Sequence, residues 1–235
     1  MIGVALRATI CLPTYNEAAN LERLVQALRP HLRDGDRILV IDDNSPDGTG
    51  AIADRLEGVD VLHRERKEGL GPAYLAGFAR AIADGAELVL EMDCDFSHDP
   101  ADVPRLIAAA EEGADVVLGS RYVPGGAVTD WGLVRRAISR GGSVYTELFL
   151  RMGVKDPTGG FKCIRRQVLE TIDLGAITAR GYAFQIETTY RAKRAGFRIV
   201  EVPITFSDRL HGHSKMSRAI VLEAIWRVPL LRLRV

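Results

Sequence analysis

Two carboxylates one residue apart, Asp93 and Asp95, follow the apolar run Glu87 to Met92, which reads as a strand. Where the chain leaves the pleat, both side chains can reach one divalent cation, and hard oxygen ligands suit Mg²⁺ or Mn²⁺. Such a cation would neutralise a diphosphate. The plainer alternative is a pair of turn acids capping the helix that begins after Pro100, since an isolated D-x-D is common. The neighbours favour the metal. Asp42-Asp43 ends a second strand, Thr14-Tyr15-Asn16-Glu17 follows a third, and crowded like charges repel unless a cation offsets them.

Groups of the opposite sign lie further along. The loop Arg209-Leu210-His211-Gly212-His213-Ser214-Lys215 carries four cationic or potentially cationic groups, a composition suited to closing over a nucleotide diphosphate or simply to solubility. Arg135 and Ser139, four apart on an expected helix, share a face on which a second phosphate could sit. Arg136 and Arg140 repeat the spacing, and ordinary surface charge is the alternative for all of them. No G-x-x-x-x-G-K-[S/T] phosphate loop occurs. Gly69-Leu70-Gly71 has Tyr74 in place of a third glycine, which argues against an NAD-dependent enzyme. Trp131 and Trp226 read as packing anchors. His31, His63 and His98 show no metal-ligand spacing and receive no role.

The elements that must position these groups alternate through the first half. Strands are expected over Ala8–Leu12 (stopped by Pro13), Arg37–Ile41, Val59–His63, Glu87–Met92 and Asp115–Leu118. Between them helical spacing runs from Leu21 to Leu28, Thr49 to Leu56 (capped by Asp47), Leu70 to Asp84 and Ala101 to Glu112. That order predicts an α/β fold with a mostly parallel sheet and helices on both faces. The three polar clusters then meet beyond the carboxyl ends of their strands, where such sheets bind ligands. After Gly125-Gly126 the alternation fails, leaving a helix from Leu133 to about Met152, a strand over Phe161–Ile164, a helix over Tyr182–Arg194, a strand over Phe197–Val202 and a last amphipathic helix.

With 235 residues and 47% apolar side chains, the chain is expected to form a single domain over 1–235. Its 31 basic and 31 acidic side chains cancel, which speaks against a nucleic-acid binder. The cancellation hides a split: residues 1–129 hold 12 Lys+Arg against 22 Asp+Glu, and residues 130–235 hold 19 against 9. The first half is read as nucleotide- and metal-binding, the second as acceptor- and phosphate-binding. Cys11, Cys94 and Cys163 are far apart, which fits a reducing cytoplasm rather than a disulfide framework. The longest apolar tract, Ala219–Leu231, has 13 residues, short of the roughly 20 that span a bilayer.

Pro13-Thr14-Tyr15-Asn16-Glu17, Asp42-Asp43-Asn44-Ser45-Pro46-Asp47-Gly48-Thr49 and Met92-Asp93-Cys94-Asp95-Phe96-Ser97-His98, in this order, resemble family 2 glycosyltransferases. Gly119-Ser120-Arg121-Tyr122, Ile138-Ser139-Arg140-Gly141, Asp156-Pro157-Thr158-Gly159-Gly160-Phe161, Gly181-Tyr182-Ala183-Phe184-Gln185-Ile186-Glu187, Arg209 and Lys215 narrow the likeness to dolichyl-phosphate (polyprenyl-phosphate) mannose synthases. The resemblance implies a GT-A fold and inverting transfer of mannose from GDP-mannose to a polyprenyl monophosphate. It implies that Pro13, Tyr15, Glu17, Ile41 and Asp43 surround the guanosine. Asp93 and Asp95 would hold Mg²⁺ or Mn²⁺ with the Cys94 backbone nearby, and Arg121, Arg209 and Lys215 would face donor phosphates and mannose. Arg135 and Ser139 would take the acceptor phosphate. Cys94 replaces a usual alanine, and Ser97 stands where some members have a metal-contacting glutamine. Competing expectations are a UDP-glucose-dependent relative, a metal-dependent phosphohydrolase or nucleotidyltransferase, and a non-catalytic nucleotide-binding module. Peripheral attachment to the cytoplasmic face of a membrane, through the basic half and residues 219–235 or a membrane-anchored protein partner, completes the expectation.

Overall fold

The computed structural model describes residues 6–177, 179, 181–208 and 226–233. In chain order it contains β1 (Ala8–Thr14), α1 (Leu21–Leu28), β2 (Arg37–Asp42), α2 (Thr49–Ala53), β3 (Val59–His63), α3 (Leu70–Ala83), β4 (Leu88–Glu91), α4 (Val103–Glu111) and β5 (Val116–Ser120). There follow β6 (Ala127–Val128), α5 (Leu133–Leu150), β7 (Lys162–Arg165), α6 (Arg166–Thr171), α7 (Tyr182–Arg194), β8 (Ile199–Pro203) and β9 (Thr205–Phe206). Residues 226–233 are helical.

Seven strands form one sheet in the order β3-β2-β1-β4-β7-β5-β8, while β6 and β9 pair separately. All neighbours in the large sheet are parallel except β7, which runs antiparallel to both β4 and β5. Burial on both faces explains why the central strands are continuous apolar runs. The side chains of α1, α4 and half of each strand form one core; those of α3, α6 and α7 form the other. In α1 the buried Leu21, Leu24, Val25 and Leu28 fall on a single stripe, and the helix gives way to a 3₁₀ turn at Pro30.

Pro13 does not stop β1, which continues to Thr14. The β1–β4 ladder ends at Cys11, whose carbonyl accepts from Met92, while Thr14 bonds toward β2 through the Asp43 N–H. The missing N–H of Pro13 therefore falls on the side where no partner strand remains. Helix α2 is shorter than its pattern suggests. Its N-cap is Gly48, at φ +87°, and the Asp47 carboxylate accepts from the Thr49 N–H at 3.0 Å instead of occupying the cap.

Candidate active site

The strand order reverses at β1, between β2 and β4, and ligands of open α/β sheets bind beyond the strand ends at such a point. The loops leaving β1 and β2 are stitched together there. Asn16 N–H donates to Ser45 Oγ at 3.1 Å, Glu17 N–H to Thr49 Oγ1 at 2.9 Å, and Ala18 N–H to Asp47 Oδ2 at 3.1 Å. Asn16 and Asn44 take left-handed φ values of +58° and +57°, which asparagine tolerates in tight turns.

The acids after β2 are answered by the protein itself. Asp42 accepts from Thr14 Oγ1 at 3.2 Å, from Ser45 Oγ at 2.5 Å and from Ser45 N–H at 3.1 Å. Asp43 is ion-paired with Arg64. Among the described residues, no three His, Cys, Asp or Glu side chains gather as a metal cluster. Local hydroxyls and an arginine thus relieve the charge of Asp42 and Asp43.

Asp93 and Asp95 form their own turn beyond β4. The Asp93 backbone N–H donates to His98 Nδ1 at 3.2 Å. Asp95 is buried and accepts from Ser97 N–H at 3.0 Å and Ser97 Oγ at 2.5 Å, so Ser97 orients a carboxylate. An anchored carboxylate at Asp95 and a second two residues back at Asp93, with no third acid gathered among the described residues, suit a hard cation such as Mg²⁺, which keeps several waters and completes its shell with substrate phosphates. The donor set fits a cation shared with a diphosphate.

Around this turn, Pro13 and Tyr15 are half-buried, and Lys67 Nζ lies 3.7 Å from the Tyr15 ring centre. Glu17 is buried and accepts from Asn20 Nδ2 at 2.9 Å. Ile41 places its side chain in the core against Gly77, and its carbonyl accepts from Thr14 Oγ1 at 3.4 Å. The Cys94 side chain is buried in the opposite core. Arg121 is buried and forks onto Asp156, with Nε to Oδ2 at 2.7 Å and Nη2 to Oδ1 at 2.6 Å, and also donates to Thr158 Oγ1 at 2.9 Å. Arg209 and Lys215 lie outside the described residues.

On α5, Arg135 grips Asp208 with Nη1 3.0 Å from both carboxylate oxygens and covers the Trp131 ring at 4.1 Å. Ser139 receives a 2.7 Å hydrogen bond from the Tyr122 hydroxyl, and Arg140 lies 5.8 Å from the Tyr122 ring centre. The two expected phosphate contacts thus share a helix and have different neighbours.

His98 is the residue that spacing alone left without a role. It stacks on Phe161 with centroids 4.9 Å apart and meets the edge of Phe206 at 5.4 Å. Burial pushes its pKa down to about 4, with Arg121 acting in the same direction and Asp95 and Asp156 opposing. Behind the site, Lys162 and Glu91 face each other in the β4–β7 register, both fully buried. Burial lowers Lys162 to about 8, against the pull of Glu91 and Asp156, and raises the Glu91 carboxyl against the pull of Lys162.

The sequence profile described as "Glycosyl transferase family 2" matches residues 9–173. The polyprenol monophosphomannose synthase of Mycolicibacterium smegmatis is 47% identical over 227 residues, 94% of this chain and 85% of that protein. The undecaprenyl-phosphate mannosyltransferase of Micrococcus luteus is 46% identical over 227 residues, 95% and 93% of the respective chains. A crystal structure of Mycobacterium tuberculosis glucosyl-3-phosphoglycerate synthase with Mn²⁺, UDP and glucosyl-3-phosphoglycerate matches at a TM-score of 0.71 and 21% identity, over 97% of this chain and 79% of that one. The likeness gives the fold, which is of the GT-A type. With a profile across most of its length and two relatives near half identity over nearly all of it, the chain belongs to glycosyl transferase family 2.

Proposed function

We propose that this chain transfers mannose from GDP-mannose to a polyprenyl monophosphate, giving the β-mannosyl phosphate. The observation that carries the reading is a groove of about 570 Å³ along α5, where the cations Arg140, Arg151 and Lys155 flank apolar Val144, Leu148 and Val154, and the one acid, Glu147, is taken up by the Met152 and Gly153 N–H groups. A lipid phosphate has the same two characters, charge at its head and hydrocarbon behind. Tyr122 lines the groove, bonds Ser139 and directly follows Arg121, so the groove runs up to the strand-end site. The names of the two close relatives, a polyprenol monophosphomannose synthase and an undecaprenyl-phosphate mannosyltransferase, support the same pairing of sugar and acceptor.

The acceptor is already a nucleophile. A phosphate monoester with a second pKa of about 6 is largely dianionic near neutral pH and must be positioned, not deprotonated. In this proposal Ser139 and Arg135 take that phosphate, which displaces Asp208 from the guanidinium. A phosphate oxygen bonds to the anomeric carbon as the bond to the GDP oxygen breaks on the opposite face, and the electron pair leaves with GDP. Attack from that face inverts the configuration. Asp93 and Asp95 would hold Mg²⁺ or Mn²⁺, which when bound offsets the charge growing on the departing diphosphate. Pro13, Tyr15, Glu17, Ile41 and Asp43 would surround the guanosine, and Arg121, Arg209 and Lys215 would face the donor phosphates and mannose.

The protein works at a membrane surface in this reading. No helix among the described residues is long and apolar enough to cross a bilayer. Exposed Leu133, Val134, Ile138 and Leu148 on α5, beside Arg136 and Arg140, make an interfacial face. Buried cysteines outside any disulfide suit the cytoplasmic side. Incubation with GDP-[¹⁴C]mannose and a short polyprenyl phosphate should move label into an organic-soluble product whose anomeric coupling is that of a β-mannoside. Free mannose or mannose phosphate released without lipid would instead favour a hydrolase.

A further inference from the structure

Tyr122, just beyond β5, ties the strand ends to α5. Its hydroxyl donates to Ser139 Oγ at 2.7 Å. On the strand side its mount is fixed. The Arg121 N–H donates to Asp156 Oδ2 at 3.0 Å and the Tyr122 N–H to Ser120 Oγ at 3.4 Å. Gly126 closes on the backbone of Ser120 and Arg121 so tightly that a Cβ would meet the Ser120 carbonyl oxygen at 2.6 Å, a close approach only glycine allows. The Tyr122 ring lies between two guanidinium groups, Arg121 at 5.2 Å and Arg140 at 5.8 Å from its centre.

Ser143 and Thr146, on the same helix as Ser139, turn back onto the Ser139 and Gly142 carbonyls at 3.3 Å and 2.8 Å, a common use of a helical hydroxyl. Ser139 is met by Tyr122 instead. A serine hydroxyl has one proton and two lone pairs. With Tyr122 donating into a lone pair, the Ser139 proton is left to a third group, and the groove that Tyr122, Arg140 and Ser143 line is where such a group arrives. A dianionic phosphate offers acceptors only, so a hydroxyl set as a donor suits it.

We infer that Tyr122 is a positioning residue for the acceptor: it sets the Ser139 hydroxyl as a donor to the acceptor phosphate and so ties that phosphate to the strand ends where the donor sits. The inference rests on the proposed lipid phosphate site at Arg135 and Ser139. Reaction between two bound groups depends on their mutual alignment, and a contact spanning the two sides of the site supplies it.

The test is calorimetric binding of citronellyl phosphate, a short polyprenyl phosphate, to the wild type, Tyr122→Phe, Ser139→Ala and the double variant, with GDP affinity, thermal stability and transfer from GDP-mannose measured beside it. Ser139→Ala should weaken binding about tenfold, the loss of one hydrogen bond to a charged group, and Tyr122→Phe, which keeps the ring, about fivefold. Because the phenol acts through the serine, the double variant should bind no more than about twofold more weakly than Ser139→Ala, and every variant should bind GDP within about twofold of the wild type. Unchanged binding by Tyr122→Phe with only a lower Tm, losses that multiply in the double variant, an equal loss of GDP affinity, or no binding by the wild type overturns the inference. If the wild type binds the lipid phosphate but moves no mannose to it, the proposed function fails, and the same four affinities still decide the role of Tyr122.

Discussion

His98 fastens the metal turn to the rest of the site. With Nδ1 accepting from the Asp93 N–H, the ring proton belongs on Nε2, and the stacked Phe161 excludes water that would stabilise a charged ring. An unfolded histidine takes a proton near 6.5, whereas this one resists until about 4. Between those values the unfolded chain binds more protons, so this stabilisation is complete above pH 6.5 and is lost as pH falls toward 4. In the presence of a chelator, the wild-type Tm should therefore drop more steeply between pH 7 and pH 5 than that of His98→Phe. Parallel slopes would contradict the neutral, buried role. Asp93 and Asp95 could be found in the sequence because their chemistry is local, two acids leaving one strand. The role of His98 could not, since what defines it is packing against Phe161 and Phe206, residues distant in sequence.

Among elements, α5 and the terminal helix present the exposed apolar surface. Of the described part of the terminal stretch, Val228 and Leu231 turn into the core and Arg232 donates to the Phe149 carbonyl at 3.0 Å, while Trp226, Leu230 and Leu233 are exposed. Leu133, Val134, Ile138, Val144 and Leu148 leave an apolar series exposed along α5, with Leu133 at 82%. Removing one buried leucine or isoleucine from an interface forfeits about 1.5–3 kcal/mol. The double variant Ile138→Ser/Leu148→Ser should thus sediment with anionic liposomes at least tenfold more weakly, with Tm preserved. Undiminished sedimentation would place the contact elsewhere. The strands of the large sheet were all anticipated, because buried apolar runs between turn residues are conspicuous in sequence. The antiparallel direction of β7 was not, as periodicity carries no direction, and the two-residue strands β6 and β9 are too short to show any period.

For the whole molecule, the charge split has a structural counterpart. Strands β7 and β8, from the basic half, lie in the same sheet as the acidic half's strands, with β7 between β4 and β5. The buried Arg121–Asp156 pair joins the two halves beside the site. In the proposed function, the acidic half supplies the carboxylates for a cation and the basic half the cations for a lipid phosphate. Metal-dependent transfer of mannose from GDP-mannose to that lipid, with Asp93 and Asp95 holding the cation, is tested most directly by radiolabel transfer from a panel of GDP- and UDP-sugars to a short polyprenyl phosphate, with Mg²⁺, Mn²⁺ or chelator, by the wild type and Asp95→Ala. The expected result is transfer from GDP-mannose above all other donors, abolished by chelation and reduced at least a hundredfold in a folded Asp95→Ala, an effect of about 2.7 kcal/mol or more. Full activity in chelator or in Asp95→Ala, or a preference for a UDP-sugar, would contradict it.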